Sequence, residues 1–561
     1  MKKLVIFLFV IFILIGLAGN VKADCFNSAQ DDDETGTDCG GSCPNTCFFT
    51  FYVSPSGLGN HNGSLGNDFN LSQAQNYAVT HTNDSMTFLL SGGNYGAFST
   101  YNSPERNGKW VNWKAISPLT AIFDIMEINA EGLGIYYSFD GITVDSSTNS
   151  ALTSVLFNSA SHIHVYNSFV KGDRKDNVTG TNMYGINVKS DFAGSWPVYD
   201  IVLENNEIFN TGGGINTGGD IREGMIFRNN SIHGHTGPGI QAGSSASNFL
   251  FIIEGNHIYG VIPVTGAHQS CIAIRGCIDN FLIKNNIIHD CGNTAGIAYY
   301  RDDYSNNCIN GSYDNMTLEG NLVYDTQNMV PVSLDSLGEN ITIRRNTFIG
   351  FYKGLPGWTD YFRYNGGLKI KTATNYNGSE IILDKNIIIG MFGSDNETRD
   401  NLIDLGNIVW TVSNPEWTWS PQINYQNKSI VIISNSGFAD DTDVHYFEGS
   451  GNFFVGGSQF DKYSFNRTPM GQEYNPPHHI NLNNAYYPVL NSDACSGGRN
   501  LFNLTNDEYV GALPCVPPFP ISCSDGFKDG DETGTDCGGG CPKECNLLGN
   551  CTITKAYWRV M

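Results

Sequence analysis

The sequence IVLENNEI at residues 201–208 recurs in altered form through the middle of the chain, and this repeat decides the fold. Its other copies are MIFRNNSI at 225–232, FIIEGNHI at 251–258, FLIKNNII at 281–288, MTLEGNLV at 316–323, ITIRRNTF at 341–348 and IILDKNII at 381–388. Each copy is a short run rich in β-branched or aromatic residues before an Asn-containing turn, and alternation such as that of Ile341 and Ile343 with Thr342 and Arg344 predicts a β-strand that buries one face. The marker asparagines, 24 to 40 residues apart, are Asn206, Asn230, Asn256, Asn286, Asn321, Asn346 and Asn386. Constant strands with connections of variable length predict a solenoid with loop insertions on one side.

This repeat resembles those of the right-handed parallel β-helix in pectate-lyase-like and chondroitinase B-like carbohydrate-active proteins. The segment FYVSPSGLGNHNGSLGNDFNLSQAQNYAVTHTNDSMTFLLSGGNYGAFS at 51–99 resembles the opening of that group, and SDACSGGRNLFNLTNDEYVGALPC at 492–515 resembles its closing rung. The resemblance implies an all-β fold, a single-stranded right-handed parallel β-helix over residues 48–515, with a short capping helix from Leu71 to Val79. It also implies that the marker asparagines form a hydrogen-bonded ladder. It specifies activity poorly, because β-helices host lyases, hydrolases, epimerases and non-catalytic adhesins.

Two cysteine-rich segments, residues 24–47 and 523–545, are near copies of each other. Both contain four cysteines separated by 14, 4 and 4 residues, namely Cys25, Cys39, Cys43 and Cys47, and Cys523, Cys537, Cys541 and Cys545. Oxygen-bearing side chains also coincide, and the candidate metal ligands are Asn27, Asp31, Asp33 and Asp38, and Asp525, Asp529, Asp531 and Asp536. Carboxylates this close together repel one another unless a hard cation neutralises them, which predicts that both segments bind Ca²⁺.

Each segment resembles the thrombospondin type 3-like, cysteine-rich calcium modules, which implies a small disulfide-rich module at both ends of the β-helix. The alternatives are an acidic, disulfide-bonded spacer without metal and a Zn²⁺ site of four thiolates, although an exported chain favours disulfides. Three more disulfides are possible among Cys271, Cys277, Cys291, Cys308, Cys495 and Cys515, with a connectivity that the sequence does not determine. We expect residues 516–522 to be a linker and residues 546–561 to begin a further, truncated domain.

The first 23 residues predict an export signal. Lys2 and Lys3 precede an apolar run from Leu4 to Ala18. Val21 and Ala23 are the small residues at the −3 and −1 positions of the predicted cleavage site. The alternative, an uncleaved anchor, is disfavoured because this run is shorter than the ~20 residues of a spanning helix. No second apolar run of spanning length follows, so the mature chain has no predicted transmembrane helix. We expect a secreted or cell-surface protein, and its fourteen Asn-x-Ser/Thr sequons suit an exported glycoprotein.

The charge of the chain disfavours one class of partner. The sequence has 55 acidic residues against 31 Lys and Arg, and its formal net charge is −24. A chain without a broad basic surface does not attract nucleic acid, so nucleic acid is not an expected partner. The resemblance instead implies an extracellular polysaccharide or surface glycan as the partner, and the negative charge suits Ca²⁺.

A second strand follows several marker strands, and alignment of these strands gives a candidate catalytic column. Stacked in register, they place outward-facing Arg275, Tyr300, Asp335 and Lys371 in one column, with Ala273, Ala298, Ser333 and Lys369 beside it. Abstraction of the proton α to a uronic-acid carboxylate needs a base, a cation beside the carboxylate and an acid for the leaving oxygen. The column therefore predicts a polysaccharide lyase that acts by β-elimination. The alternative is that long polar side chains occupy exposed positions, as in any solenoid.

The sequence also departs from the chondroitinase B-like lyases, because it has no clear copy of their Gly-Glu-x-Glu-type acidic cluster. Catalytic residues therefore cannot be transferred from that family, and a non-catalytic adhesin or surface structural protein is the alternative function. Candidate carbohydrate-stacking residues in a predicted loop insertion are Trp410, Trp417 and Trp419, and Trp110 and Trp113 are further candidates. The pairs His162 with His164 and His233 with His235 have the spacing that places two side chains on one face of a strand, as in a metal site.

Overall fold

The computed structural model of the chain describes residues 48–101, 103–131, 134–147, 153–172, 184–190, 196–244, 250–262, 269–276, 280–292, 294–300, 315–324, 326, 331–349, 366–372, 381–389, 391–394, 402–404, 407–412, 430–434 and 444–445. The chain divides into two compact units. The first contains Met1–Asp173 and Gly185–Glu207, and the second contains Arg174–Tyr184 and Ile208–Met561. The predicted export signal, both cysteine-rich modules, the linker and the C-terminal segment lie outside the described residues.

The first unit contains the helix and the first fourteen strands. The helix is α1 (Leu71–Thr80). The strands are β1 (Phe48–Val53), β2 (Ser85–Leu90), β3 (Gly93–Asn94), β4 (Ala97–Tyr101), β5 (Val111–Ala115), β6 (Ala121–Phe123), β7 (Ile125–Asn129), β8 (Gly134–Asp140), β9 (Thr143–Asp145), β10 (Val155–Asn158), β11 (Ser161–Tyr166), β12 (Phe169–Lys171), β13 (Tyr184–Lys189) and β14 (Ile201–Glu204). They form three parallel sheets in the orders β1-β2-β5-β8-β11-β14, β4-β7-β10-β13 and β3-β6-β9-β12.

The second unit repeats this arrangement. Its strands are β15 (Glu207–Phe209), β16 (Gly213–Gly218), β17 (Met225–Arg228), β18 (Ser231–His233), β19 (Ile240–Ser244), β20 (Phe251–Glu254), β21 (His257–Tyr259), β22 (Ile272–Gly276), β23 (Phe281–Lys284), β24 (Ile287–Ile288), β25 (Ile297–Tyr300), β26 (Thr317–Glu319), β27 (Leu322–Val323), β28 (Val332–Leu337), β29 (Ile341–Arg344), β30 (Thr347–Ile349), β31 (Gly366–Thr372), β32 (Ile381–Asp384), β33 (Ile387–Ile389), β34 (Met391–Ser394), β35 (Leu402–Asp404), β36 (Ile408–Val412), β37 (Ile430–Ser434) and β38 (Val444–His445). The unit boundary falls within β13 and within β15.

Every third strand of the second unit joins the same sheet. The orders are β17-β20-β23-β26-β29-β32-β35, β16-β19-β22-β25-β28-β31-β34 and β18-β21-β24-β27-β30-β33-β36-β37-β38, and neighbouring strands are parallel except for the last pair, β37 with β38. A chain that visits three parallel sheets in turn forms one rung per three strands. Both units are therefore right-handed parallel β-helices, which confirms the predicted all-β fold.

The helix α1 forms where the sequence predicts it. The Asn70 side chain accepts a hydrogen bond from the Gln73 backbone N–H, and the Gln73 side chain accepts one from the Asn70 N–H, both at 2.9 Å. This reciprocal capping box satisfies two of the free donors at the start of a helix. Leu71, Ala74 and Ala78 form the buried face. No helix in the described ranges is long and apolar enough to cross a membrane.

The marker asparagines form the predicted ladder. In the second unit, from Asn256 onward, each marker accepts hydrogen bonds at its Oδ1 from the backbone N–H and the Nδ2 of the marker one rung earlier, as Asn286 does from Asn256 at 2.9 and 3.0 Å. Each Nδ2 also donates to a backbone carbonyl, as Asn286 does to Ile253 at 2.8 Å. In the first unit the Asn206 Oδ1 accepts from the Ser168 N–H. Because all these side chains are buried, the ladder replaces the water that their amides would otherwise bind.

The structure adds one rung to the sequence-derived ladder. Asn407 accepts from Asn386 at 2.8 Å and has the same surroundings as the other markers. The residue before each marker has a positive φ, which suits the Asn and Gly found at most of these positions. Arg345 and Lys385 adopt the same conformation, with φ of 53° and 54°. The turn geometry is therefore fixed by the ladder and overrides the local preference of these two residues.

Candidate functional site

The aligned second strands do pair in the register that the candidate column requires, but only up to a point. Ile272, Ile297, Val332 and Leu368 are successive partners, and the next position joins Ala273, Ala298, Ser333 and Lys369. Arg275 also pairs with Tyr300. Between β28 and β31 the register then shifts, so that Leu337 faces Thr372. An irregularity of this kind inserts an unpaired residue, so the uniform column of four outward residues is wrong beyond Leu334.

The side chains beside this column differ in exposure. Ala273 and Ala298 are fully buried, whereas Ser333 and Lys369 are half-buried. The small side chains of the two alanines are thus covered by their surroundings. Arg275 is half-buried. The side chains of Tyr300, Asp335 and Lys371 lie outside the described residues.

A tyrosine that the sequence analysis did not identify accompanies Arg275. A Cβ atom on Gly213 would lie 2.6 Å from two carbons of the Tyr184 ring, so the ring lies directly against this glycine. The Gln241 Nε2 donates to the Asn216 Oδ1 at 2.8 Å. The Gln241 side chain also hydrogen-bonds to Tyr184. Tyr184, Gln241, Asn216 and Arg275 thus form one polar cluster on the strands β13, β16, β19 and β22, which we call the Tyr184–Arg275 cluster.

The electrostatics of this cluster set the state of the phenol. Burial raises the pKa of the Tyr184 hydroxyl, and the positive charge of Arg275 and the hydrogen bond with Gln241 only partly oppose the rise. The hydroxyl is therefore protonated at neutral pH. The cluster combines a fixed cation, a buried proton donor and two amides, which together suit a ligand with carboxylate and hydroxyl groups.

A second polar cluster lies in the first unit. His162 Nδ1 and His164 Nε2 lie 2.9 and 3.0 Å from the two carboxylate oxygens of Asp200, and Tyr136 stacks on His162 with ring centroids 4.1 Å apart. Burial by itself would raise the pKa of Asp200, but the two histidines outweigh it and hold that pKa well below its ordinary value. Each histidine thus has one ring nitrogen engaged by the carboxylate.

Other predicted site residues have mixed outcomes. His233 and His235 do not share a face, because β18 ends at His233 and His235 is fully buried with its Nδ1 2.8 Å from the Gly237 carbonyl oxygen. Trp113 is fully buried beside Phe88, so its predicted contact with sugar is wrong. The described residues contain no group of three or more His, Cys, Asp or Glu arranged to hold a metal ion.

The remaining predictions concern residues near or beyond the described ranges. Trp410 lies in β36, paired with Ile389 and Ile432, so its predicted place in a loop insertion is wrong. The β-branched residues beside it continue the sheet there.

Cys271 and Cys291 form a disulfide, which settles one pairing among the central cysteines. The other predicted residues lie outside the described part of the chain, namely Trp417, Trp419, all candidate Ca²⁺ ligands, Cys277, Cys308, Cys495, Cys515 and the eight module cysteines.

Comparison with known proteins found similar solved structures only at low sequence identity. No protein-family model and no curated protein matches the chain. An alginate lyase of the PL6 family is 12% identical, with coverage of 81% of this chain and 59% of that one and a TM-score of 0.44. The surface adhesin PfbA of Streptococcus pneumoniae is 11% identical, with coverage of 71% and 97% and a TM-score of 0.40. A pectate lyase, Pel9A, is 14% identical, with coverage of 64% and 80% and a TM-score of 0.29.

Proposed function

We propose that the strand face bearing the Tyr184–Arg275 cluster binds an extracellular polysaccharide that contains uronic acid, and cleaves it by β-elimination. The observation that supports this proposal is the buried Tyr184 phenol beside the half-buried Arg275, on a face where Gln241 and Asn216 supply amide hydrogen bonds. The export signal predicted from residues 1–23 would place the protein where such polymers occur. Secretion and cleavage both remain parts of this proposal.

The elimination needs two proton transfers and one carboxylate contact. A base removes the proton from C5 of the uronate, the electron pair forms the C4=C5 double bond, the C4–O bond breaks, and the leaving oxygen takes a proton. The Arg275 guanidinium can pair with the carboxylate through two hydrogen bonds and so stabilise the negative charge that develops. Tyr184 suits the role of proton donor to the leaving oxygen, because its raised pKa keeps it protonated.

The base in this proposal is Tyr300 or Lys371. The backbone of Tyr300 pairs with that of Arg275, so its side chain begins one rung away. Asp335 is proposed to orient one of these groups.

Tyr184→Phe should reduce the cleavage rate by about 10²-fold, because it removes the proton donor and keeps the ring that packs against Gly213. Arg275→Gln should reduce kcat/KM by a similar factor through loss of the carboxylate contact. The measurement is the ultraviolet absorbance of the unsaturated product, with the full chain acting on alginate, pectate, chondroitin and heparan. Tyr101→Phe, at an exposed tyrosine whose hydroxyl donates a hydrogen bond to Glu127, is the matched control and should retain full activity.

The same assay separates the lyase from the adhesin. If no polyuronate yields an unsaturated product but the full chain still binds a glycan array, the cleavage proposal is wrong and a non-catalytic adhesin remains. If Tyr184→Phe retains the wild-type rate on a substrate that is cleaved, then Tyr184 is not the proton donor.

The two cysteine-rich modules are proposed to bind Ca²⁺. The full chain should bind Ca²⁺ in calorimetry, and replacement of Asp531 and Asp536 by Asn should remove about one equivalent, because each module loses affinity with its carboxylate charge. Asp124→Asn, at a carboxylate that accepts a hydrogen bond from Asn94, is the control and should leave the stoichiometry unchanged. Equal Ca²⁺ uptake by the double variant and the wild type would exclude the C-terminal module as a site.

A further inference from the structure

We propose that His257 and His289 of the second unit form a binding site for a divalent transition-metal ion of the Cu²⁺ class, through their two Nε2 atoms. These two atoms lie 2.8 Å apart. His257 begins β21 and His289 directly follows β24, and these strands are parallel neighbours. The site lies on a different sheet from the Tyr184–Arg275 cluster, so it does not depend on the proposed lyase activity.

Asp290 fixes the protonation of His289. The Asp290 Oδ2 lies 2.9 Å from the His289 Nδ1. An ionised carboxylate only accepts hydrogen bonds, so the Nδ1 carries the proton and donates it. The Nε2 of His289 is then unprotonated, and its lone pair is on the side of His257. A carboxylate behind an imidazole in this way is the usual orienting group of a histidine that binds metal.

Stacked aromatic rings hold both imidazoles in place. The Tyr259 ring stacks on His257 and on His289, with ring centroids 4.2 and 5.3 Å apart. The Tyr324 ring also stacks on His289, with ring centroids 4.8 Å apart. Burial, and then the neighbouring His289 and His233, lower the pKa of His257 to about 4.

The spacing of the nitrogens is compatible with two adjacent ligands of one metal ion. Two nitrogens that are each ~2.0 Å from an ion and 90° apart in angle are ~2.8 Å from each other, which is the arrangement of adjacent ligands in square-planar or octahedral sites. Binding would displace the proton that the two Nε2 atoms share, and this proton moves to the Nδ1 of His257. Ca²⁺ prefers oxygen ligands and would not occupy such a site.

The protein supplies only part of the coordination shell. No third His, Cys, Asp or Glu completes a metal-binding group among the described residues. His257 is half-buried, whereas His289 is 5% exposed. Water would therefore fill the remaining coordination positions from the His257 side, and the ion would exchange with solvent.

The test is a titration of the full chain with Cu²⁺ in the presence of a competing glycine buffer, followed by calorimetry and electron paramagnetic resonance. Wild-type protein should show a site with two nitrogen ligands, and His257→Gln should lose it. Asp290→Asn should weaken the site about 10- to 100-fold, although it removes no ligand. Since the chain has 12 histidines, His81→Gln at the exposed end of α1 serves as the control and should bind as wild type does.

Two results would overturn the proposal. One is a wild-type chain without a two-nitrogen Cu²⁺ signal, which would leave the pair as an N–H···N hydrogen bond. The other is a His257→Gln variant that binds as many ions with the same affinity and the same spectrum as wild type. His257 is used in preference to the buried His289 because its replacement threatens folding less, and circular dichroism of each variant verifies the fold.

Discussion

Asn286→Ala is expected to lower the free energy of unfolding by about 3–5 kcal/mol. The Asn286 side chain accepts two hydrogen bonds from Asn256 and donates to Asn321 and to the Ile253 carbonyl, all within 2.8–3.0 Å. Its removal leaves a buried backbone N–H, an amide N–H and a carbonyl oxygen without partners. Each such group costs about 1–3 kcal/mol, and urea denaturation followed by circular dichroism measures the total.

Two comparison variants separate the ladder from a general effect of losing an amide. Asn158→Ala removes a half-buried amide that donates to Asn129 at 2.7 Å, and it should cost no more than about 1 kcal/mol. Asn286→Asp keeps the oxygen acceptors but places a charge in the buried ladder, so it should destabilise at pH 7 and recover in part as the pH falls and the carboxyl is protonated. A midpoint for Asn286→Ala equal to that of Asn158→Ala would contradict the structural role of the ladder.

Arg106→Met is expected to have a similar effect, about 3–5 kcal/mol, in the first unit. Arg106 is 2% exposed, and its guanidinium donates to the carbonyl oxygens of Ala78, His81, Asp84 and Lys109. Two of these acceptors lie at the end of α1, where helix carbonyls have no partner within the helix. Methionine fills a similar volume without a donor and removes the guanidinium hydrogen bond from all four carbonyls, of which the His81 oxygen also accepts from the Asp84 N–H.

The readout for Arg106→Met is amide hydrogen exchange as well as global stability, because the amides of α1 should exchange faster than in wild type. Arg106→Lys should also destabilise, since one ammonium group cannot reach four carbonyls. The control is Lys114→Met, whose lysine is 56% exposed and pairs with Asp140, 30% exposed, at 2.9 Å; it should cost less than about 1 kcal/mol. Normal α1 protection in Arg106→Met would show that the guanidinium does not hold the helix.

Most of the fold was predictable from the sequence because the rung signal is local. Alternate side chains of a strand are buried, as in β8. A turn with a positive-φ residue followed by Asn repeats at every marker. Asn407 was within reach of the same reasoning, since LIDLGNIV at 402–409 fits the repeat, but its interval of 21 residues falls below the others. The capping helix was predicted to within one residue, because Asn70 and Gln73 form a local capping box.

The candidate site was only partly predictable, because it depends on register over several rungs. Alignment of β22, β25 and β28 gave the correct partners for Arg275 and Ala298. The irregularity in β28 is invisible in a pattern of alternating residues, so the column was extended too far. The sequence analysis missed Tyr184 because this residue is the first of β13, and its partners Gly213 and Gln241 belong to other rungs.

The solenoid, its strands, its asparagine ladder and its capping helix follow from the sequence alone, since each depends on the chemistry of a few consecutive residues. Which polar residues meet depends on the folded chain. His257 and His289 are 32 residues apart and yet 2.8 Å from each other, and Trp113 is buried although the sequence allowed a surface position. The physical reason is that rungs are joined by connections of different length. Residues one rung apart are therefore separated by a number of residues that no fixed period predicts, and hydrogen bonding between the strands sets their register.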